Sequence, residues 1–296
     1  MPADPSLTAS ARGNALPLLA GALAAASFVT MDSVIKLMSP RYDALQLSFF
    51  RFAGGAVFAV LLWAWKRSPL PERPAWRLHV VRSLFLMVSL VGYFHALTQL
   101  PLALAVTISY LAPIFVSVLA IPVLKERPSP SIWAALTLGL AGVTIAVLPE
   151  LRQGLHGQGS TRLLGMLSAA VAAVSFAFVM LLARKQSRSD SVWTILLVQS
   201  LLPLLLLAAP AAWSWKTLQT GDIGLILLTG GLGTLGLVSL TFAFTRLEAS
   251  RVAPLEYSGF VWAALLGYLL FGEVPTLTSA FSAALIVGGC LLLLRR

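Results

Sequence analysis

Ala96-Leu97-Thr98-Gln99-Leu100-Pro101-Leu102 opens a stretch, Ala96 to Leu148, that recurs without a gap 147 residues later as Ala243 to Arg295. Thr98, Leu100, Tyr110, Glu126, Pro128 and Gly142 reappear as Thr245, Leu247, Tyr257, Glu273, Pro275 and Gly289. Charge does not follow the same rule. Lys125 and Arg127, after the first apolar run of the early copy, align with Gly272 and Val274, whereas Gln99 and Leu104, before that run, align with Arg246 and Arg251. Lys and Arg mark the cytoplasmic side of a membrane protein, so the two copies are expected to lie upside down relative to each other, a construction typical of transporters.

The membrane premise rests on composition. Of the 296 residues, 58% are hydrophobic and 11% charged, where a soluble domain carries about 25% charged residues; the mean hydropathy is +0.88. Runs at 16–36, 45–65, 78–98, 102–124, 131–149, 163–183, 192–212, 223–245, 252–271 and 276–294 are each able to cross about 30 Å of hydrocarbon as a helix. The expected fold is an all-α polytopic membrane protein of ten transmembrane helices, built as two inverted five-helix repeats. It forms one transmembrane domain over 1–296, with repeat one at about 13–150, a linker at about 151–161 and repeat two at about 162–296. Ala24-Ala25-Ala26-Ser27-Phe28 against Ala172-Ala173-Val174-Ser175-Phe176 repeats at an offset of 148, in agreement with the longer match. Five spans per copy is an odd number, so a duplicated unit must thread its second copy in the opposite direction.

The net charge of +10 is scattered over short loops and forms no continuous basic face, which argues against a nucleic-acid partner. Placing the N-terminus inside puts 14 Lys and Arg residues on the cytoplasmic side and 5 (Lys36, Arg41, Arg152, Arg162, Lys216) outside, with Arg51 and Arg82 within spans. Both termini are expected in the cytoplasm of a bacterial cell, the chain in its inner membrane. Tryptophans 63, 65, 76, 133, 193, 213 and 215 sit at or near span ends, as interfacial anchors do; Trp262 alone falls mid-span. Cys290 is a single cysteine and forms no internal disulfide.

Tyr93-Phe94-His95-Ala96-Leu97-Thr98-Gln99-Leu100-Pro101-Leu102-Ala103 through Tyr110-Leu111-Ala112-Pro113, ending in Leu124-Lys125-Glu126-Arg127-Pro128, resembles the EamA-type signature of the drug/metabolite transporter superfamily. Pro254-Leu255-Glu256-Tyr257 through Leu270-Phe271-Gly272-Glu273-Val274-Pro275 resembles it again. The resemblance implies a ten-helix inner-membrane carrier of small metabolites, closest in general character to bacterial exporters of aromatic amino acids. It also casts Glu126 and Glu273 as structural caps or hinge contacts at the membrane edge.

Intramembrane charge is the sharpest functional pointer, since it costs at least about 2.5–3.5 kcal/mol near the bilayer centre. Glu256, directly before Tyr257, is read either as a substrate-amine or proton-coupling carboxyl or as a partner of Arg251. Asp32 and Lys36, spaced i,i+4, are expected to form a local ion pair. Arg51 and Arg82 are expected to snorkel toward the interfaces, with Arg51 otherwise able to attract a carboxylate.

Small and polar residues on apolar helices sketch the pathway: Ser27 and Met31 on the first span, Ser89 and Tyr93 on the third, Thr107 and Tyr110 on the fourth, Ser175 and Phe176 on the sixth, and Glu256, Tyr257, Phe260 and Trp262 on the ninth. Taken alone, each Ser or Thr reads better as a packing or back-bonding residue. Together with the aromatics they suit a planar or apolar solute.

Gly231-Leu232-Gly233-Thr234-Leu235-Gly236 matches a dinucleotide fingerprint, but it lies inside a span with no strand before it and reads as a close helix crossing. His79, His95 and His156 lack ligand partners at i+3 or i+4, and no catalytic set such as Ser-His-Asp is present. No metal, cofactor or enzymatic chemistry is expected. The partners are the lipid bilayer, a small molecule (an aromatic or neutral amino acid or a related metabolite) and, through Glu256, a proton. The sequence therefore points to a secondary transporter working by alternating access that exports aromatic or other neutral amino acids. The alternatives are uptake of a nucleoside-like or S-adenosylmethionine-like metabolite and, behind it, a channel or scaffold.

Overall fold

A computed structural model describes residues 5–124, 160–186, 189–246, 258–274 and 276–293, with scattered positions between 134 and 149. The described residues are helical, apart from turns and short extended links. In chain order the helices are α1 (Pro5–Met38), α2 (Ala44–Lys66), α3 (Trp76–Gln99), α4 (Leu102–Ser109), α5 (Leu111–Leu124), α6 (Ser160–Gln186), α7 (Val192–Trp213), α8 (Asp222–Arg246), α9 (Ser258–Phe271) and α10 (Leu277–Leu293). Among the described residues six stretches, Leu16–Met38, Ala44–Lys66, Arg73–Gln99, Ser160–Ala183, Val192–Trp213 and Asp222–Ala243, are long and apolar enough to cross a membrane. The expected span at 131–149 lies outside the described residues except for its scattered positions.

Helix boundaries follow local chemistry. The Asp43 side chain caps α2 by accepting from Gln46 N (2.8 Å), and Ser191 caps α7 by accepting from Thr194 N (3.1 Å). The two caps stand 148 residues apart, the offset that relates α1 to α6. The single span expected at 102–124 is instead two helices meeting at Tyr110. Pro113 supplies no N–H to the Ser109 carbonyl four residues back, and its ring disfavours a straight helix through that point.

Packing pairs each repeat with the other. Helix α3 lies on α6 and α1 on α8; α2 packs on both α7 and α8, and α9 on α1 and α4. Exchanging α1 with α6, α2 with α7 and α3 with α8 converts the first pairing into the second. Close crossings use glycine: a Cβ on Gly54 would fall 2.2 Å from the Ile226 carbonyl oxygen, and one on Gly230 would fall 2.1 Å from the Gly54 backbone. The crossing falls at Gly230, just before the glycine run read from the sequence, whereas Gly231, Gly233 and Gly236 within that run are met by the Phe58, Arg51 and Phe28 side chains.

The C-terminus of α1, the N-termini of α2 and α8 and the C-termini of α3 and α9 meet at one end of the bundle, called here the Lys36 end. Tyr42 donates to Asp222 Oδ2 (2.6 Å) there, and Arg41 pairs with Asp222 Oδ1 (2.9 Å). Burial and the adjoining Asp222 carboxylate push the Tyr42 hydroxyl above its usual range, so it stays a donor. At the opposite end His79 meets Asp190 at 2.9 Å, and the Thr194 hydroxyl donates to the Pro69 carbonyl. Much of the apolar core, including Phe94, Leu97, Leu102, Ile108, Ile35 and Leu47, lies toward the Lys36 end. Leu61, Leu164, Leu205 and Leu269 face outward, as lipid-contacting residues do.

Candidate functional site

Six residues before the end of α1, about 9 Å along its axis, Asp32 turns inward and is buried. Its Oδ2 accepts a hydrogen bond from the Tyr93 hydroxyl at 2.9 Å. Arg51, seven residues into α2, reaches the same depth: its Nε donates to Met31 Sδ at 2.9 Å, and Asp32 and Arg51 attract each other without direct contact. The expected i,i+4 pair between Asp32 and Lys36 does not form. The face of α1 that carries both residues points into the bundle, where Tyr93 takes Asp32 and Glu273 takes Lys36.

Arg51 does not snorkel either. A Cβ on Gly233 would lie 2.0 Å from its Nη2 and one on Gly55 would lie 2.7 Å from its Nη1, so two missing side chains make a slot for the guanidinium. Only partly buried, it has terminal nitrogens that bond no other group among the described residues. Phe28 occupies the space left by Gly236, one turn further along α8. Arg82 is likewise drawn inward: buried on α3, it donates to Gln186 Oε1 (2.8 Å) and Gln199 Oε1 (3.0 Å).

Several residues nominated from the sequence meet here. Met31 and Tyr93 make the contacts above; Ser27 is buried one turn before Met31 on α1. Tyr110, at the break between α4 and α5, lies near Tyr93 and sets its hydroxyl 3.2 Å from the point where Gly259 would carry a Cβ. Phe260, on the same α9 turn, is partly buried against the core.

Others take structural roles or lie apart. Ser89 donates to the Ala172 carbonyl (3.0 Å) beside Gly92, whose Cβ would sit 3.0 Å from the Ser168 carbonyl, so this face of α3 is a tight seam with α6. Thr107 bonds back to Ala103 O at 2.7 Å. Ser175 is buried on α6. Phe176 and Trp262 stand on exposed helix faces, the first with Val171 and Met180, the second with Val261 and Leu265. Glu256 and Tyr257 lie outside the described residues.

Asp32 and Arg51, expected from the sequence as an ion-pair partner of Lys36 and a snorkelling cation, are therefore central to the cluster. Their depth within the first two spans was the available signal, because neither is close enough to a helix end to reach water cheaply. The arrangement offers a carboxyl group, two phenols, a guanidinium whose terminal nitrogens bond nothing else among the described residues, and a phenyl ring within one section of the bundle. A solute with an ammonium, a carboxylate and an apolar body complements that set.

The EamA-like transporter family profile matches the chain twice, over residues 15–148 and 163–295. An S-adenosylmethionine uptake transporter of Rickettsia bellii (strain RML369-C) is 25% identical over 265 residues, covering 89% of this chain and 88% of the relative. The pseudopaline exporter CntI of Pseudomonas aeruginosa (strain UCBPP-PA14) is 29% identical over 280 residues, covering 94% and 95%. One solved crystal structure shares the fold at a TM-score of 0.65 with 23% identity, covering 94% of this chain and 96% of that one.

Proposed function

The chain belongs to the EamA-like transporter family, and on that premise we propose that it is a secondary carrier of amino-acid-type metabolites that works by alternating access. It is a multi-pass membrane transporter of a small molecule, and the proposal concerns its solute, direction and arrangement. The carrier lies in the bacterial inner membrane with both termini in the cytoplasm, the Lys36 end facing out. Its two five-helix repeats are inverted, a reading supported by the charge swap and by the equivalent pairings of α3 with α6 and α1 with α8.

The observation that carries the substrate class is the guanidinium of Arg51, held between Gly55 and Gly233 with terminal nitrogens that bond nothing else among the described residues, near the Asp32–Tyr93 pair. A substrate ammonium displaces the Tyr93 hydroxyl from Asp32 or joins it there. The substrate carboxylate takes the Nη groups of Arg51 in a charge-assisted bond. Desolvating two opposite charges together offsets the cost of desolvating each alone. Phe28, Tyr93 and Tyr110 then face the side chain, which favours aromatic and other neutral amino acids, moved outward. Glu256 is proposed as the coupling carboxyl: Gln in its place is expected to abolish any pH dependence of transport, and unchanged pH dependence removes it from that role.

A second reading is uptake of an S-adenosylmethionine-like metabolite, favoured by the likeness to transporters of that name over nearly nine-tenths of the chain. That solute carries the same aminocarboxylate, so Asp32 and Arg51 serve both readings. Purified protein in liposomes separates them. Counterflow of phenylalanine or tryptophan supports the first, counterflow of S-adenosylmethionine alone supports the second, and flux equal to that of empty liposomes for all three overturns the amino-acid class.

A further inference from the structure

One helical turn beyond Asp32 on α1, Lys36 places its ammonium 2.6 Å from Glu273 Oε1 and 2.5 Å from the Leu100 carbonyl oxygen, with the Phe271 ring 5.3 Å away. Glu273 uses its second oxygen, Oε2, to accept from Leu102 N at 2.8 Å. The backbone makes these partners available. Pro101 separates α3 from α4, so the Leu100 carbonyl lies at a helix C-cap and the Leu102 N–H belongs to a first turn that has no helical acceptor. On the other side Gly272, at φ 66°, ends α9 in the left-handed region, and Glu273 N bonds back to Gly267 O at 3.0 Å. That turn folds the carboxylate over Gly267, where a Cβ would come within 3.1 Å of Oε2.

We infer that the Lys36–Glu273 pair is the gate of the Lys36 end, closing the path to the Asp32–Arg51 cluster in this conformation. The inference rests on the carrier reading above. The pair joins repeat one, through α1 and the α3–α4 junction, to repeat two, through the α9–α10 turn, so parting the repeats at this end must break it. Its position also keeps the opening reversible: the two side chains are only partly buried, 12% and 22% exposed, so water can solvate them once they separate. A pair buried at the depth of Asp32 would cost far more to open.

The test uses sealed vesicles and a thiol reporter, Phe28→Cys, in a chain whose single native cysteine is replaced by Cys290→Ser. A membrane-impermeant maleimide is applied from the Lys36 side. Glu273→Gln and Lys36→Met are each expected to raise the labelling rate by on the order of tenfold, a shift in population toward the open end. Lys36→Arg, which keeps the charge, is expected to label near the parent rate. Should Glu273→Gln not assemble, Lys36→Met reads the same contact from its other partner. Labelling of both charge-removing variants at the parent rate, or an increase seen only from the opposite side, overturns the gate. Labelling requires no substrate, so an error in the proposed solute class leaves this result unchanged and shows instead in the flux assay.

Discussion

Repeat one and repeat two share a plan but divide the polar chemistry unequally. At the repeat offsets set by the α1–α6 match, the two N-caps and the long self-match, Asp32 corresponds to Met180, Arg51 to Gln199 and Tyr93 to Leu240. The first three converge inside the bundle. Met180 is exposed on the outer face of α6, and Gln199 serves as an acceptor for Arg82. Lys36 and Glu273 behave differently: Arg184 and Glu126 keep their charges in the other copy. A carrier has two ends to close but one solute to hold. Charges kept in both copies therefore suit closure, and charges found in one copy suit recognition.

Breaking the polar half should produce the largest effect. Asp32→Asn or Arg51→Met is expected to cut counterflow by about 30-fold to more than 1,000-fold, the range for removing one member of a buried charged contact. Met180→Leu, at the corresponding place in repeat two, is expected to stay within about twofold, since surface changes of this kind are energetically near neutral. A comparable loss in Met180→Leu would erase the distinction between the halves.

An intermediate effect is expected at the glycine slot. Gly233→Ala places a methyl group 2.0 Å from Arg51 Nη2 and should weaken apparent substrate affinity by roughly tenfold, a typical overpacking cost. Gly224→Ala, on the same helix with nothing within 4 Å, is the matched control and should leave affinity unchanged. Flux measured across a substrate concentration series separates the two variants.

The smallest effect belongs to the seam between repeats. Ser89→Ala removes one hydrogen bond to the Ala172 carbonyl and should cost about 1 kcal/mol, seen as a fall of about 2–4 °C in detergent Tm with transport largely retained. Transport lost at an unchanged Tm would move Ser89 from the seam to the pathway.

These contrasts also show what the sequence discloses. Hydropathy and helix-end chemistry suffice for the membrane class, the separate helices and the turn at Gly272, because each depends on residues within a turn or two. The break at Tyr110 was half visible: Pro113 signals a disturbance, but a proline alone does not fix the residue at which the chain bends. The partners of Asp32, Lys36 and Arg51 were not visible. In an isolated helix the i,i+4 pair of Asp32 with Lys36 is the natural contact, and a lone Arg on a span runs to the interface. In the bundle, Tyr93 lies 61 residues from Asp32 in sequence, and the α9–α10 turn that carries Glu273 meets α1 only after the halves pack. The slot for Arg51 is made of absent side chains on α2 and α8, a feature with no signature until those helices cross.

The most direct measurement of the central claim is saturable phenylalanine counterflow in liposomes containing the parent chain, Asp32→Asn, Arg51→Met or Met180→Leu. The account predicts counterflow for the parent and Met180→Leu, with both repeat-one variants reduced to near the level of empty liposomes. Counterflow at the parent rate and concentration dependence in Asp32→Asn and Arg51→Met would contradict it.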